Sequence, residues 1–206
     1  MDAVRVALLR EVLAGTEWLG ATRRFAGLLR ASVSPPGSGG LLLVGTRTYE
    51  PWHLAAHLMD EAAWSGLPTL APTLVRHEVG PHDPAHLSVG LGRLGAAGRG
   101  ETLLVVGPGG TGPGEDLLER VDDVRRAGAT VLALTGDGAG ELASLAHELL
   151  VVPDGAEVDL DTVQHLVSAA AGENAGRMPG RPGGTRFRDR AARLGERLVG
   201  PPPERW

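Results

Sequence analysis

Three features of residues 101–153 predict an α/β fold built on a parallel sheet. Residues 103–106 form a short, wholly apolar, β-favouring run, which suits a strand covered on both faces. From Glu115 the period becomes helical: Leu117, Leu118, Val121 and Val124 share one side, acids fill the first turn, and Arg125, Arg126 and Gly128 mark the end. Residues 130–134 and 149–152 are two further apolar runs, so the connections between strands are crossovers and the sheet is parallel.

The other elements follow in chain order. Val4, Ala7, Leu8, Val12, Leu13, Trp18, Leu19, Phe25, Leu28 and Leu29 give residues 3–31 a helical pattern, with a break at Gly15-Thr16. Residues 34–40, rich in proline, glycine and serine, turn the chain into a first strand at 41–44. After the loop Gly45-Thr46-Arg47-Thr48-Tyr49-Glu50, Pro51 opens a helix running to about Trp64. Another strand is expected within 70–79, weakened by Pro68 and Pro72, and a helix near Pro84 within the glycine-rich stretch 77–100. Residues 159–171 read as a capped helix that closes the domain.

The domain is expected to span residues 1–171. Residues 172–206 form an appended arm: a glycine- and proline-rich linker, then an arginine-rich helix carrying Phe187, Ala191, Leu194 and Leu198 as a stripe. That stripe reads as a surface that docks on the body or on a partner subunit, in preference to nucleic-acid binding.

Composition excludes several classes. There is no cysteine, hence no disulfide, thiolate metal site or cysteine nucleophile. All 20 basic residues are arginine, which excludes Schiff-base lysine chemistry and a Walker-type phosphate loop. The net charge of −5 is uneven, because residues 177–206 hold eight Arg against Asp189, Glu196 and Glu204; the acidic body is a poor partner for nucleic acid. No apolar run approaches the roughly 20 residues that cross a bilayer, and charges interrupt the N-terminal apolar positions. A soluble, cytoplasmic protein is expected.

Two loops carry the candidate chemistry. Gly107-Pro108-Gly109-Gly110-Thr111-Gly112 stands between a buried strand and a helix start, a corner that aims backbone N–H groups and a helix dipole at an anion. It also fits a dinucleotide G-x-G-x-x-G fingerprint, but that motif normally opens the first βα unit with an acid about 20 residues on. His53 and His57 lie four apart on the helix after the first loop, with Glu61 one turn further. With a histidine from elsewhere they would suit zinc with an open position; equally, they are half-buried helix residues with no ligand. His77, His82 and His86 read as a solvated loop and His147 as a satisfied histidine.

The order of elements over residues 5–171, and above all GPGGTGPGEDLLERVDDVRRAGATVLALTGDGAGELASLAHELLVVP, resembles the sugar isomerase (SIS) domain family. The resemblance implies a three-layer α/β sandwich: a five-stranded parallel sheet of the flavodoxin-like type, with helices on both faces. It also implies a homodimer or homotetramer binding phosphosugars. The family's phosphate loop is S-x-S-G-x-T; here its serine positions fall on Gly107 and Gly109, its threonine position on Gly112, and Thr111 is the one hydroxyl. The family's first loop, G-x-G-x-S, is Gly45-Thr46-Arg47-Thr48-Tyr49, where Arg47 can replace lost donors through paired hydrogen bonds. Phosphoheptose isomerases, the most similar members, carry H-x-A-A-E on the next helix, matched by His53-Leu54-Ala55-Ala56-His57. Their Gln and His on the last helix correspond, shifted, to Gln164 and His165.

The expected function is binding of a phosphorylated sugar or related anionic metabolite, with phosphate on the loop amides. As an isomerase the chain would interconvert an aldose and a ketose phosphate, His53, His57 or His165 acting as base or metal ligand and Glu61 as a possible base. The alternatives are a non-catalytic metabolite-binding or assembly module and a nicotinamide-dependent oxidoreductase.

Overall fold

The structure, a computed structural model, describes residues 3–110, 112–137 and 139–173. Thr111 and the arm 174–206 lie outside the described residues. In chain order the elements are α1 (Ala3–Val12), α2 (Glu17–Val33), β1 (Gly40–Val44), α3 (Trp52–Ser65), β2 (Pro72–Val75), β3 (Glu101–Gly107), α4 (Glu115–Arg126), β4 (Thr130–Thr135), α5 (Leu142–Leu145), β5 (Glu148–Val151) and α6 (Leu160–Gly172).

The five strands form one parallel sheet in the order β2-β1-β3-β4-β5. Side chains alternate between its two covered faces, which is why the strands read as unbroken apolar runs. Leu41, Leu43, Leu104, Val106, Leu132 and Leu134 pack under α2, α3 and α6. Leu42, Val44, Leu103, Val105, Val131 and Ala133 pack against α4, α5 and a 3-10 turn at Leu91–Ala96. The result is the expected three-layer sandwich.

Local signals set the boundaries. Gly15, at φ 87, separates α1 from α2. Gly66, left-handed at φ 69, caps α3, its N–H donating to the Ala62 carbonyl. Asp159 caps α6 by accepting from the Thr162 N–H at 2.7 Å. Pro72 opens β2 at the sheet edge, where a missing donor costs least.

The stretch 77–100 departs from expectation. In place of a helix from Pro84 there is one 3-10 turn, Ala85–Leu87. Ser88 Oγ donates to the Asp83 and Pro84 carbonyls at 2.8 and 2.9 Å, taking acceptors that a longer helix would use. Arg76 pins the segment: its Nε meets both Glu50 carboxylate oxygens at 3.1 Å and its Nη1 meets Asp83 at 2.6 Å. Among the described residues, no helix is long and apolar enough to cross a membrane.

Candidate functional site

The strand order reverses direction between β1 and β3, and the loops leaving their carboxyl ends flank that switch point, where open α/β sheets place ligands. Gly45 starts the first loop; its hydrogen sits against the Tyr49 carbonyl and Pro51, so only glycine fits that turn. Thr46 then faces the second loop. A Cβ on Gly107 would fall 2.7 Å from Thr46 Cγ2, so these two residues close the floor of one cleft. Gly112, Thr135 and Asp137 also line it, and it has room for about one water molecule. The two loops therefore meet at this floor.

One amide of the second loop is already engaged. The loop is zipped to the loop after β4: the Gly110 N–H donates to the Asp137 carbonyl at 3.2 Å, and the Gly136 N–H to the Gly107 carbonyl at 2.9 Å. A Cβ on Gly109 would lie 2.7 Å from the Asp137 nitrogen. The serine position at Gly109 is thus closed by backbone, while a side chain at Gly107 would need the Thr46 methyl to give way. Thr135 Oγ1 is buried beneath the cleft and makes no hydrogen bond among the described residues.

Charge around the cleft is largely negative. Glu115 and Asp116 occupy the first turn of α4, where a phosphate would otherwise meet the helix dipole. Arg47 reaches over from the first loop, but its Nη2 is spent on Asp116 at 3.0 Å. Thr46 Oγ1 and Thr48 Oγ1 are 3.5 Å apart.

Tyr49 leads from this loop to the seam between α3 and α6. Gln164, buried on α6, donates its Nε2 to the Tyr49 hydroxyl at 2.9 Å. Burial holds the Tyr49 phenol above its ordinary pKa; the Gln164 hydrogen bond opposes this and Asp161 adds to it. One turn along the seam the rings of His57 and His165 lie 4.3 Å apart, and those of His53 and His57 6.3 Å. Asp161 stands between the outer histidines, 3.5 Å from His53 Nδ1 and 3.5 Å from His165 Nε2. His57 is held below the usual histidine range, chiefly by burial and then by its two histidine neighbours, with Asp60 opposing.

The three histidines meet on this seam. His53 Nδ1 and His165 Nε2 both face Asp161, and among the described residues no group of three or more His, Asp or Glu is arranged to hold a metal. Glu61 does not join them. It is buried with its carboxylate against Gly172, two turns beyond His165 on α6.

The remaining histidines are structural or exposed. His77 Nε2 lies 3.1 Å from the Gly45 carbonyl, His82 and His86 are exposed, and His147 Nδ1 accepts from the Val131 N–H at 3.0 Å. Sequence reasoning missed Thr135, Asp137 and Asp161. Asp161 alone carried a signal, one helical turn before His165.

No protein-family model matches the chain, and no curated protein matches it. Among solved structures it is similar to the sugar isomerase domain of an RpiR transcription factor from Sphaerobacter thermophilus, at 16% identity over 85% of each chain and a TM-score of 0.49. It is also similar to a putative phosphosugar isomerase from Silicibacter pomeroyi, at 18% identity over 94% of this chain and 52% of that one, TM-score 0.46. The Vibrio vulnificus NanR protein complexed with ManNAc-6P shows 13% identity over 96% and 67%, TM-score 0.48. The chain thus spans about half the length of the Silicibacter protein.

Proposed function

We propose that this protein binds a phosphorylated sugar or a related small anionic metabolite at the carboxyl ends of β1 and β3. The observation that carries the reading is the approach of Thr46 to Gly107, which sets the two loops of the topological switch point side by side; the cleft between them takes only about one water, so the metabolite would rest on its rim. Arg47 is the cation at its rim, and a phosphate would displace Asp116 from it, a guanidinium being suited to two parallel bonds with either group. Thr46 and Thr48 would supply hydroxyl contacts.

As an aldose-ketose isomerase, the chain would use His57 as its base. A neutral imidazole at pH 7 would take the proton from the carbon beside the carbonyl and return it to the former carbonyl carbon through an enediol. No step is routed through zinc.

A second reading, a non-catalytic metabolite-binding or assembly module, is favoured by one specific observation. Gly109 is closed by backbone to the serine that the resemblance would require, Gly107 is crowded by the Thr46 methyl, and one loop amide is already bonded.

A thermal-shift screen against sugar phosphates, the matching free sugars, inorganic phosphate and nicotinamide cofactors tests the reading. Stabilisation by a sugar phosphate, lost in Arg47→Ala, supports it. Stabilisation by dinucleotides alone overturns it. With a binding sugar phosphate in hand, turnover abolished by His57→Ala with the shift retained selects the isomerase over the module.

A further inference from the structure

α1 packs on α6 with Val6 buried, and Leu13 is buried just beyond its end. Its other side faces solvent, yet it is apolar: Val4, Leu8 and Val12 follow at single-turn spacing and are 60%, 56% and 78% exposed. The outer side of a surface helix is ordinarily polar, and a continuous apolar row there is a contact face. Leu8 and Val12 are its centre.

The chain itself holds a candidate occupant. α6 ends beside α1, for Glu173 is 2.5 Å from Arg10, so residues 174–206 set out from this face. They contain eight Arg and three acids, whereas residues 1–173 contain 12 Arg and 22 acids. Phe187, Ala191, Leu194 and Leu198 fall at helical spacing within them, a stripe narrow enough to lie along a single helix.

We infer that residues 186–199 dock on the Leu8–Val12 face of α1 in the same chain, stripe against stripe, with arginines outward over the acidic body. Reach permits it. Residues 174–185 span at most about 40 Å extended, and α1 is about 15 Å long. A tether of that length gives an effective concentration in the mM range, well above that of a second copy at micromolar protein.

Because the chain has no cysteine, the pair Leu8→Cys and Leu194→Cys introduces its only two thiols. Mild oxidation of the full chain is expected to give an intramolecular disulfide, seen as a compact monomer on a non-reducing gel and by peptide mass. Leu194→Cys with Glu119→Cys, an exposed site on α4, is the control and should not close. A disulfide-linked dimer would make the face a contact between copies and overturn the inference. Closure no faster than in the control would overturn docking altogether. A cysteine-free readout runs in parallel: Leu194→Asp with Leu198→Asp should raise amide exchange of α1 at least about tenfold, and unchanged exchange contradicts the inference.

Discussion

His57 and His165 lie ring against ring across the α3–α6 seam, 4.3 Å between centroids, with Asp161 3.5 Å from His165 Nε2. Protonating His57 therefore costs more in the folded chain than in the unfolded one, because of burial first and its histidine neighbours next. Its folded pKa lies below the ordinary 6.5, so between that value and 6.5 the unfolded chain binds more protons. Stability from this group is complete above about pH 6.5 and is lost as pH falls through the folded value. The melting temperature should drop between pH 7 and pH 5, and His57→Gln should flatten that slope. An unchanged slope in the variant would remove His57 as its source.

Gly107→Ser restores the hydroxyl that the family resemblance calls for, but drives a Cβ to 2.7 Å from Thr46 Cγ2. The overpacking should cost about 1–3 kcal/mol in urea unfolding. Thr46→Ser deletes the offending methyl, so the double variant should recover at least half of that loss, a coupling that a double-mutant cycle measures directly. Strictly additive single effects would mean that the two loops are not in contact.

Gly136→Ala meets a different obstacle. Its Cβ would fall 2.7 Å from Gly109 Cα, against backbone that cannot swing aside as a side chain can. The loops after β3 and β4 must then part, breaking the Gly110–Asp137 and Gly136–Gly107 hydrogen bonds. We expect a loss of about 3 kcal/mol, read by denaturant midpoint, with no partial rescue from Thr46→Ser.

These contacts mark where sequence reasoning stopped. The strands were legible because burial on both faces makes them uniformly apolar, and Gly15 and Asp159 marked helix ends by backbone chemistry that is local. What depends on strand order was not. Arg47 and Asp116 are 69 residues apart and meet only because β3 lies beside β1. Gly109 stood at a serine position of the resemblance, but β4 places Gly136 and Asp137 where its Cβ would go. Glu61 shares the helical face of His57, but α6 presents His165 to the one and Gly172 to the other.

Asp116→Asn separates the structural and the ligand-binding parts of Arg47. The pair is exposed, so its loss should change stability by no more than about 0.5 kcal/mol. The change also removes a carboxylate from the start of α4 and releases the guanidinium. If the cleft takes a phosphate, calorimetry should show binding tightened about fivefold, equivalent to about 1 kcal/mol. Weaker binding would make Asp116 a ligand contact and place the anion elsewhere.

Tyr49→Phe cuts the tie between the cleft and the histidine seam. It removes the oxygen that accepts from Gln164 at 2.9 Å and leaves an amide hydrogen buried, with only the 3.3 Å contact to the Leu160 carbonyl, at a cost of about 1–2 kcal/mol. Replacing both partners, as in Tyr49→Phe with Gln164→Leu, removes the unsatisfied group and should restore most of the stability. The ligand-induced thermal shift then divides the roles. If it returns together with stability, the pair is a brace that holds the first loop on α6. If stability returns and the shift does not, the Tyr49 hydroxyl or the Gln164 amide touches the ligand, and the cleft and the seam form one site.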